Sequence, residues 1–301
     1  MGAVEMKDKI KFINAMLIFG TIGVFVKNIN LSSMEIAFLR AVIGCASLIA
    51  AGFFMHQKIS FEMIKKNKLL LILSGAAIGF NWLFLFQAYK YTTIANATIS
   101  YYFAPMFVVI LSPLILKESI TVFKFACVAG AMVGLFLILN SNNEASVMAN
   151  NQVLGIAYGL LAASFYAGIV LMNKFIKGLS GFETTLIQLM IATIVLFPFI
   201  MLQGGIKLSV LSVYALILIL FVGIVHTGLA YLIYFTSMKD IQAQTIAVLS
   251  YIDPITAVVI SAVFLGEALT LYQAAGGILI LGAAFLSESG ERLLGSLKKR
   301  G

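Results

Sequence analysis

The stretch GFNWLFLFQAYKYTTIANATISYYFAPMFVVILSPLILKESIT (Gly79–Thr121) returns, degenerate but in register, as GLAYLIYFTSMKDIQAQTIAVLSYIDPITAVVISAVFLGEALT (Gly228–Thr270). Pro105 and Pro254, Glu118 and Glu267, and Thr121 and Thr270 are each 149 positions apart. Gly79/Gly228, Phe86/Phe235, Lys90/Lys239, Tyr102/Tyr251 and Leu116/Leu265 keep the same step without a gap. A constant period held over about forty residues marks one unit duplicated. If each unit holds an odd number of membrane spans, the second copy is upside down. Inverted repeats of that kind belong to carriers whose halves rock about a central site.

Composition requires a membrane. The 301 residues are 61% apolar and 11% charged, with a mean hydropathy of +1.05. Apolar runs of about twenty residues, long enough for a hydrocarbon layer of roughly 30 Å, lie near 10–27, 32–55, 69–89, 93–116, 120–140, 152–173, 181–202, 211–236, 241–264 and 270–287. The expected fold is therefore an all-α polytopic membrane protein, with ten transmembrane helices in a 5+5 inverted-topology repeat. Residues 1–140 form the first unit, 141–151 an extracellular linker and 152–301 the second unit.

Charge placement orients it. With the N-terminus inside, sixteen Lys and Arg, from Lys7 to Arg300, collect on the inner side, against Lys27, Lys90 and Lys207 outside. That asymmetry puts both termini in the cytoplasm. The formal charge of +8 then reflects topology, and no nucleic-acid partner is expected. Lys7–Lys11 followed by an apolar run imitates a signal peptide, but no small-x-small cleavage site follows. Cys45 and Cys127 fall within spans and point to neither a disulfide nor a metal site. An excess of Lys over Arg suggests a bacterial genome and hence the cytoplasmic membrane.

The four prolines, Pro105, Pro113, Pro198 and Pro254, all fall within predicted spans. In a helix interior proline removes a hydrogen bond and clashes with the preceding turn, at roughly 3 kcal/mol in water. In lipid such breaks persist where helices pack or a wet cavity lies alongside. Pro105 and Pro254 hold equivalent places in the repeat and read as kinks beside a binding site; the alternative is a packing kink without a ligand.

Pro105…Leu116-Lys117-Glu118 and Pro254…Leu265-Gly266-Glu267, together with Glu35-Ile-Ala-Phe-Leu-Arg40 and Gly276-Gly277-Ile-Leu-Ile-Leu-Gly282, resemble the EamA-type transporters of the drug/metabolite transporter superfamily. The resemblance covers the whole chain and implies a carrier of amino acids, nucleosides, drugs or other metabolites, often coupled to protons. Where the first half has Arg40, the second has Gln188.

Few polar groups lie inside the spans, where a charge costs roughly 2.5–3.5 kcal/mol to insert. Asp253, whose counterpart in the first half is Ala104, is the candidate for proton coupling or for sensing a cation. The alternative is a protonated carboxyl bonded to a carbonyl freed at a proline. His226 at mid-span is a candidate relay partner, or else a hydrogen-bonded packing residue. Arg40 is placed to bind a substrate carboxylate, or to anchor its own helix to Glu35 or to loop carbonyls. Asn81, Trp82, Tyr101, Tyr102, Tyr166, Tyr231 and Tyr251, with Gln87 and Tyr234, form a belt suited to a partly apolar solute; the alternative for these residues is ordinary interhelical packing. Gly75/Gly79, Gly130/Gly134 and Gly155/Gly159 are close-packing signals and a face for a homodimer.

No HExxH, GxSxG or P-loop motif occurs, so no enzyme, cofactor or metal is expected. The functional reading is a secondary active transporter of small amphipathic metabolites, amino acids or related compounds, working by alternating access. Export driven by the proton gradient is the favoured direction. The alternatives are an organic-cation or drug exporter, an uptake carrier, and an ion channel, which would need a filter-like loop that is not present.

Overall fold

The computed structural model describes the backbone of residues 2–92, 94–118, 121–140, 151–206, 212–265 and 270–298. Lys207, Gly266, Glu267, Lys299, Arg300 and the linker residues 141–150 lie outside the described residues. Every described element is helical.

Among the described residues, eight helices are long and apolar enough to cross a membrane, and two apolar helices are shorter. In chain order these are α1 (Glu5–Val26), α2 (Ser33–Phe54), α3 (Lys68–Tyr91), α4 (Asn96–Leu116), α5 (Val122–Asn140), α6 (Gln152–Asn173), α7 (Gly181–Leu202), α8 (Val213–Ser237), α9 (Ala243–Phe264) and α10 (Leu271–Lys298). The apolar parts of α5 and α10, Val122–Ile138 and Leu271–Ser287, are the short ones. The bundle turns many large apolar side chains outward, among them Phe53, Leu114, Leu202, Ile278 and Phe285. Such a surface is stable only against lipid.

Local sequence starts the helices. Ser32 and Glu35 close a capping box at α2, and Ser180 and Glu183 close the same box at α7. Each box satisfies two backbone N–H groups that the first turn leaves free. Glu183 also accepts the Ser60 N–H at 2.7 Å, which ties the α2–α3 connection to α7. Packing then follows the small residues. A Cβ at Gly134 of α5 would meet the Gly276 carbonyl oxygen of α10 at 2.6 Å, so these two helices touch backbone to backbone. Gly75 and Gly79 face α7, and Gly155 and Gly159 face Thr92 and Ser100, whereas Gly130 has open space before it.

Pro105 and Pro254 accompany interruptions of their helices, with the backbone at Phe103 and Ser250 still right-handed helical. α4 is broken at Tyr102–Phe103, and Pro105 sits in the first turn of the new segment Ala104–Leu116. α9 is broken in the same way at Ser250–Tyr251, and Pro254 is the third residue of the segment Ile252–Leu265. In a first turn the missing N–H has no intrahelical acceptor to lose, so the cost assigned to an interior proline is not incurred there. Pro113 and Pro198 do lie inside helices. At Pro113 the carbonyl freed four residues earlier, that of Val109, receives the Ser112 hydroxyl at 3.3 Å, and Gln244 of α9 donates to Ser112 at 3.1 Å.

α8 has an irregularity of its own: its middle, Val222–Leu229, is π-helical. The widened turn faces α2, where Gly44 and Gly223 let the two helices come close.

Candidate functional site

A cavity of about 330 Å³ lies at the centre of the bundle. α1, α3, α4, α6, α8 and α9 supply its walls, and α2 adds Arg40. Asn81, Trp82, Tyr101, Tyr102, Pro105, Tyr166, Tyr231, Arg40 and Asp253 all line it.

The structure sets the remaining candidates elsewhere. The Tyr251 ring is fully buried and stacks on Tyr102 at 6.2 Å, and its hydroxyl donates to the Tyr102 carbonyl at 3.0 Å. Tyr251 therefore supports the wall from behind. Pro254 is buried one residue beyond Asp253 and is not part of the lining. His226 lies in the π-helical turn, 1% exposed, with Nε2 2.8 Å from the Thr21 hydroxyl and its ring against Phe25 and Phe221. The structure does not bring His226 and Asp253 together. The Thr21 hydroxyl donates to the Ile18 carbonyl at 2.8 Å, so the His226–Thr21 proton comes from Nε2, and among the described residues Nδ1 has no partner.

Arg40 enters at one corner. Its guanidinium lies over the Trp82 ring, 4.4 Å from the centroid, and among the described residues its Nε has no hydrogen-bond partner. Trp82 meets Tyr231 edge-on at 5.9 Å, and the Tyr231 hydroxyl faces both Trp82 and Arg40. Stacking on a ring face holds the guanidinium plane and leaves its N–H edge available for a planar acceptor.

Asp253 forms a second corner, just past the α9 break. Its Oδ2 accepts the Tyr102 hydroxyl at 3.0 Å. Among the described residues no cationic side chain pairs with it. The cavity thus exposes one cation and one carboxylate, each held by aromatic groups and neither neutralised by the other.

Between the corners runs a line of hydroxyls: Tyr234 donates to Tyr166 at 2.9 Å, and Tyr166 meets Ser250 at 3.2 Å. Asn81 spends its amide on the Ala162 carbonyl at 2.7 Å, joining α3 to α6. Ser250, Phe19 and Met16 also line the cavity. Nothing in their residue type marked them. Ser250 stood one place before a repeat-matched tyrosine and three before Asp253, and that adjacency was the available signal.

The lysine-rich end of the bundle is tightly packed. Phe12, Met238 and Ile246 are fully buried there. The turn between α8 and α9 is held from three other elements. Lys174, following α6, donates to the carbonyls of Met238, Lys239 and Ile241. Lys124 of α5 donates to the Gln242 side chain at 2.7 Å, and Glu118 accepts the Ala243 N–H at 3.0 Å. Lys239 reaches in turn to the Leu179 carbonyl.

Comparison with known proteins agrees with this architecture. A solved crystal structure with 17% sequence identity superposes with a TM-score of 0.85, covering 96% of this chain and 99% of that one, so the fold is shared. The uncharacterized transporter YxxF of Bacillus subtilis (strain 168) is 32% identical over 286 residues, which cover 92% of this chain and 88% of the relative. The threonine/homoserine exporter RhtA of Escherichia coli (strain K12) is 28% identical over 256 residues, covering 85% and 80%. The model of the EamA-like transporter family matches twice, at residues 10–140 and again at 153–288. With an apolar exterior, a central cavity and a double match to one family, this chain is an integral membrane protein and belongs to the EamA-like transporters.

Proposed function

We propose that the protein is an alternating-access carrier built of ten transmembrane helices in two inverted five-helix units, and that it moves small zwitterionic metabolites, amino acids foremost. The observation that carries the substrate class is the presence of Arg40 and Asp253 on the wall of one aromatic cavity. A cation and an anion that do not neutralise each other suit a solute bearing both a carboxylate and an ammonium group. The aromatic lining suits its apolar part. The name of the relative from Escherichia coli, a threonine/homoserine exporter, supports amino-acid export.

The inverted repeat gains support from contacts between equivalent residues. Trp82 touches Tyr231, and Tyr102 touches Tyr251, each pair 149 positions apart. Equivalent residues meet where a twofold axis passes between them, and an inverted repeat has such an axis in the membrane plane. Residues 1–140 and 152–301 are then the two units, joined by 141–151.

By the distribution of Lys and Arg, this packed, lysine-rich end is cytoplasmic, and both termini lie on that side. In this state the Lys174, Lys124 and Glu118 bonds to the α8–α9 turn keep the cavity from the cytoplasm. Rocking of the halves breaks them. Asp253 couples the cycle to protons, because a carboxylate with one donor and no cation can be exchanged for a carboxylic acid without stranding a partner.

A second reading, an organic-cation exporter, rests on Asp253 beside Tyr101 and Tyr102, since aromatic faces and a carboxylate also receive ammonium groups that carry no carboxylate. Transport by purified protein in liposomes loaded with a pH dye distinguishes the two. Amino acids that drive proton movement, lost in Asp253→Asn, support the first reading. Flux of quaternary and aromatic amines alone would replace it with the second.

A further inference from the structure

The hydroxyl line in the cavity wall has a direction, and the direction is set by the backbone. Ser250 Oγ gives its only proton to the Ile246 carbonyl at 2.8 Å. In its 3.2 Å contact with Tyr166, Ser250 is therefore the acceptor and Tyr166 the donor, since a hydroxyl carries one proton. The Tyr166 oxygen in turn accepts the Tyr234 hydroxyl at 2.9 Å. The line thus runs Tyr234 to Tyr166 to Ser250 to the Ile246 carbonyl. All three protons point away from Tyr234, and among the described residues nothing donates to its oxygen.

That oxygen belongs to a cavity-lining side chain whose ring packs against Phe12 at 5.3 Å, Phe19 at 6.0 Å and Phe235 at 5.0 Å. The Tyr231 ring lies 6.2 Å away and is, among the described residues, the one polar-tipped ring in contact with it; its hydroxyl is directed to Trp82 and Arg40 and not to Tyr234. A solute that displaces water from this corner leaves the oxygen without a donor unless the solute brings one.

We propose that Tyr234 is a specificity-determining residue: its oxygen accepts a hydrogen bond from a hydroxyl on the side chain of the bound metabolite, so the carrier prefers hydroxylated amino acids to apolar ones of the same shape. The proposal rests on the amino-acid reading above and refines it. A purely apolar corner distinguishes poorly between isosteres, whereas a polar group left unpaired by the wrong solute discriminates.

Threonine and valine differ by a hydroxyl in place of a methyl, and the protein supplies its own probe. Trp82 is the single tryptophan of the chain and lines the cavity, so its fluorescence reports occupancy. Titrations of the purified protein with L-threonine and L-valine are run on the wild type, Tyr234→Phe and Ser250→Ala. The wild type is expected to bind threonine about fivefold more tightly than valine, the size of one net hydrogen bond. Tyr234→Phe brings the ratio to about one, because it weakens threonine more than valine. Ser250→Ala removes the acceptor that fixes the direction of the line. Tyr166 is then free to donate to Tyr234, and the threonine preference falls although Tyr234 is still present. A wild-type ratio of one, or a preference that survives both substitutions, overturns the proposal while leaving the carrier an amino-acid transporter. If Tyr234→Phe binds neither solute, the Ser250→Ala ratio decides. Should neither amino acid bind the wild type while aromatic amines do, the amino-acid reading fails, and this proposal fails with it.

Discussion

The two charged corners of the cavity are held in opposite ways. Arg40 lies on the face of Trp82 and keeps an Nε without a partner, whereas Asp253 is held through one hydrogen bond at its edge, from Tyr102. A ring face restrains a guanidinium without consuming its donors, and among the described residues the Arg40 Nε stays unpaired even with the Tyr231 hydroxyl alongside. A single hydroxyl donor constrains a carboxylate without neutralising it, so Asp253 can exchange a proton, a cation or both. On the proposed reading, the difference assigns binding to one corner and proton exchange to the other.

The largest expected effect tests that division directly. Asp253→Asn keeps the shape and the Tyr102 contact but cannot take up a proton. Proton movement driven by substrate in liposomes is expected to vanish, while substrates still protect the protein in thermal-shift assays. Unaltered pH dependence in this variant would remove Asp253 from coupling and merge the two corners into a single binding role.

A smaller, selective loss is expected from Arg40→Gln. Removing one partner of a desolvated, hydrogen-bonded charge pair costs about 2 kcal/mol or more, roughly thirtyfold in Kd. The loss should fall on solutes with a carboxylate and spare the matching amines, as read by competition binding. Equal weakening of both classes would make Arg40 a packing residue.

Trp82→Phe retains a ring under the guanidinium but a poorer cation–π partner. About 1 kcal/mol is expected, a few-fold rise in the half-saturating concentration for carboxylate substrates, measured by counterflow. A loss as large as that of Arg40→Gln would mean that Trp82 contacts the solute itself and is more than a support for Arg40.

Much of the fold could be read from residue pattern. The eight long apolar helices lie within a few residues of the expected runs, for example Gln152–Asn173 and Gly181–Leu202, because hydrophobic length is a local property. Pro105 and Pro254 stand out in the sequence, but the position of each interruption, at Tyr102–Phe103 and Ser250–Tyr251, is not visible there. The break at Tyr251 depends on partners such as the Tyr102 carbonyl, which is 149 residues distant in the chain. The π-helical turn around His226 was equally hidden, since it forms where α2 and α8 pack.

Depth in the membrane could be estimated for each polar residue, but the side it faces could not. His226 and Asp253 seemed matched by depth, and packing turned the imidazole to Thr21 and the carboxylate to Tyr102. Tyr251, read as a cavity residue, lies behind the wall, while Ser250 beside it faces the cavity. A helical turn is 3.6 residues, so an error of one position rotates a side chain by about a quarter-turn and exchanges lining for core.

The chain alone was enough to establish a helical membrane protein, its family and the short set of polar residues from which a site must be made, because span length, composition and repeated motifs are carried by the order of residues. The tertiary structure decided which of those residues share the cavity, that Arg40 and Asp253 both reach it without pairing, and which way the hydroxyl protons run. Those properties depend on the rotation of each helix about its axis, which is fixed only when side chains from distant parts of the chain compete for the same space and the same hydrogen bonds.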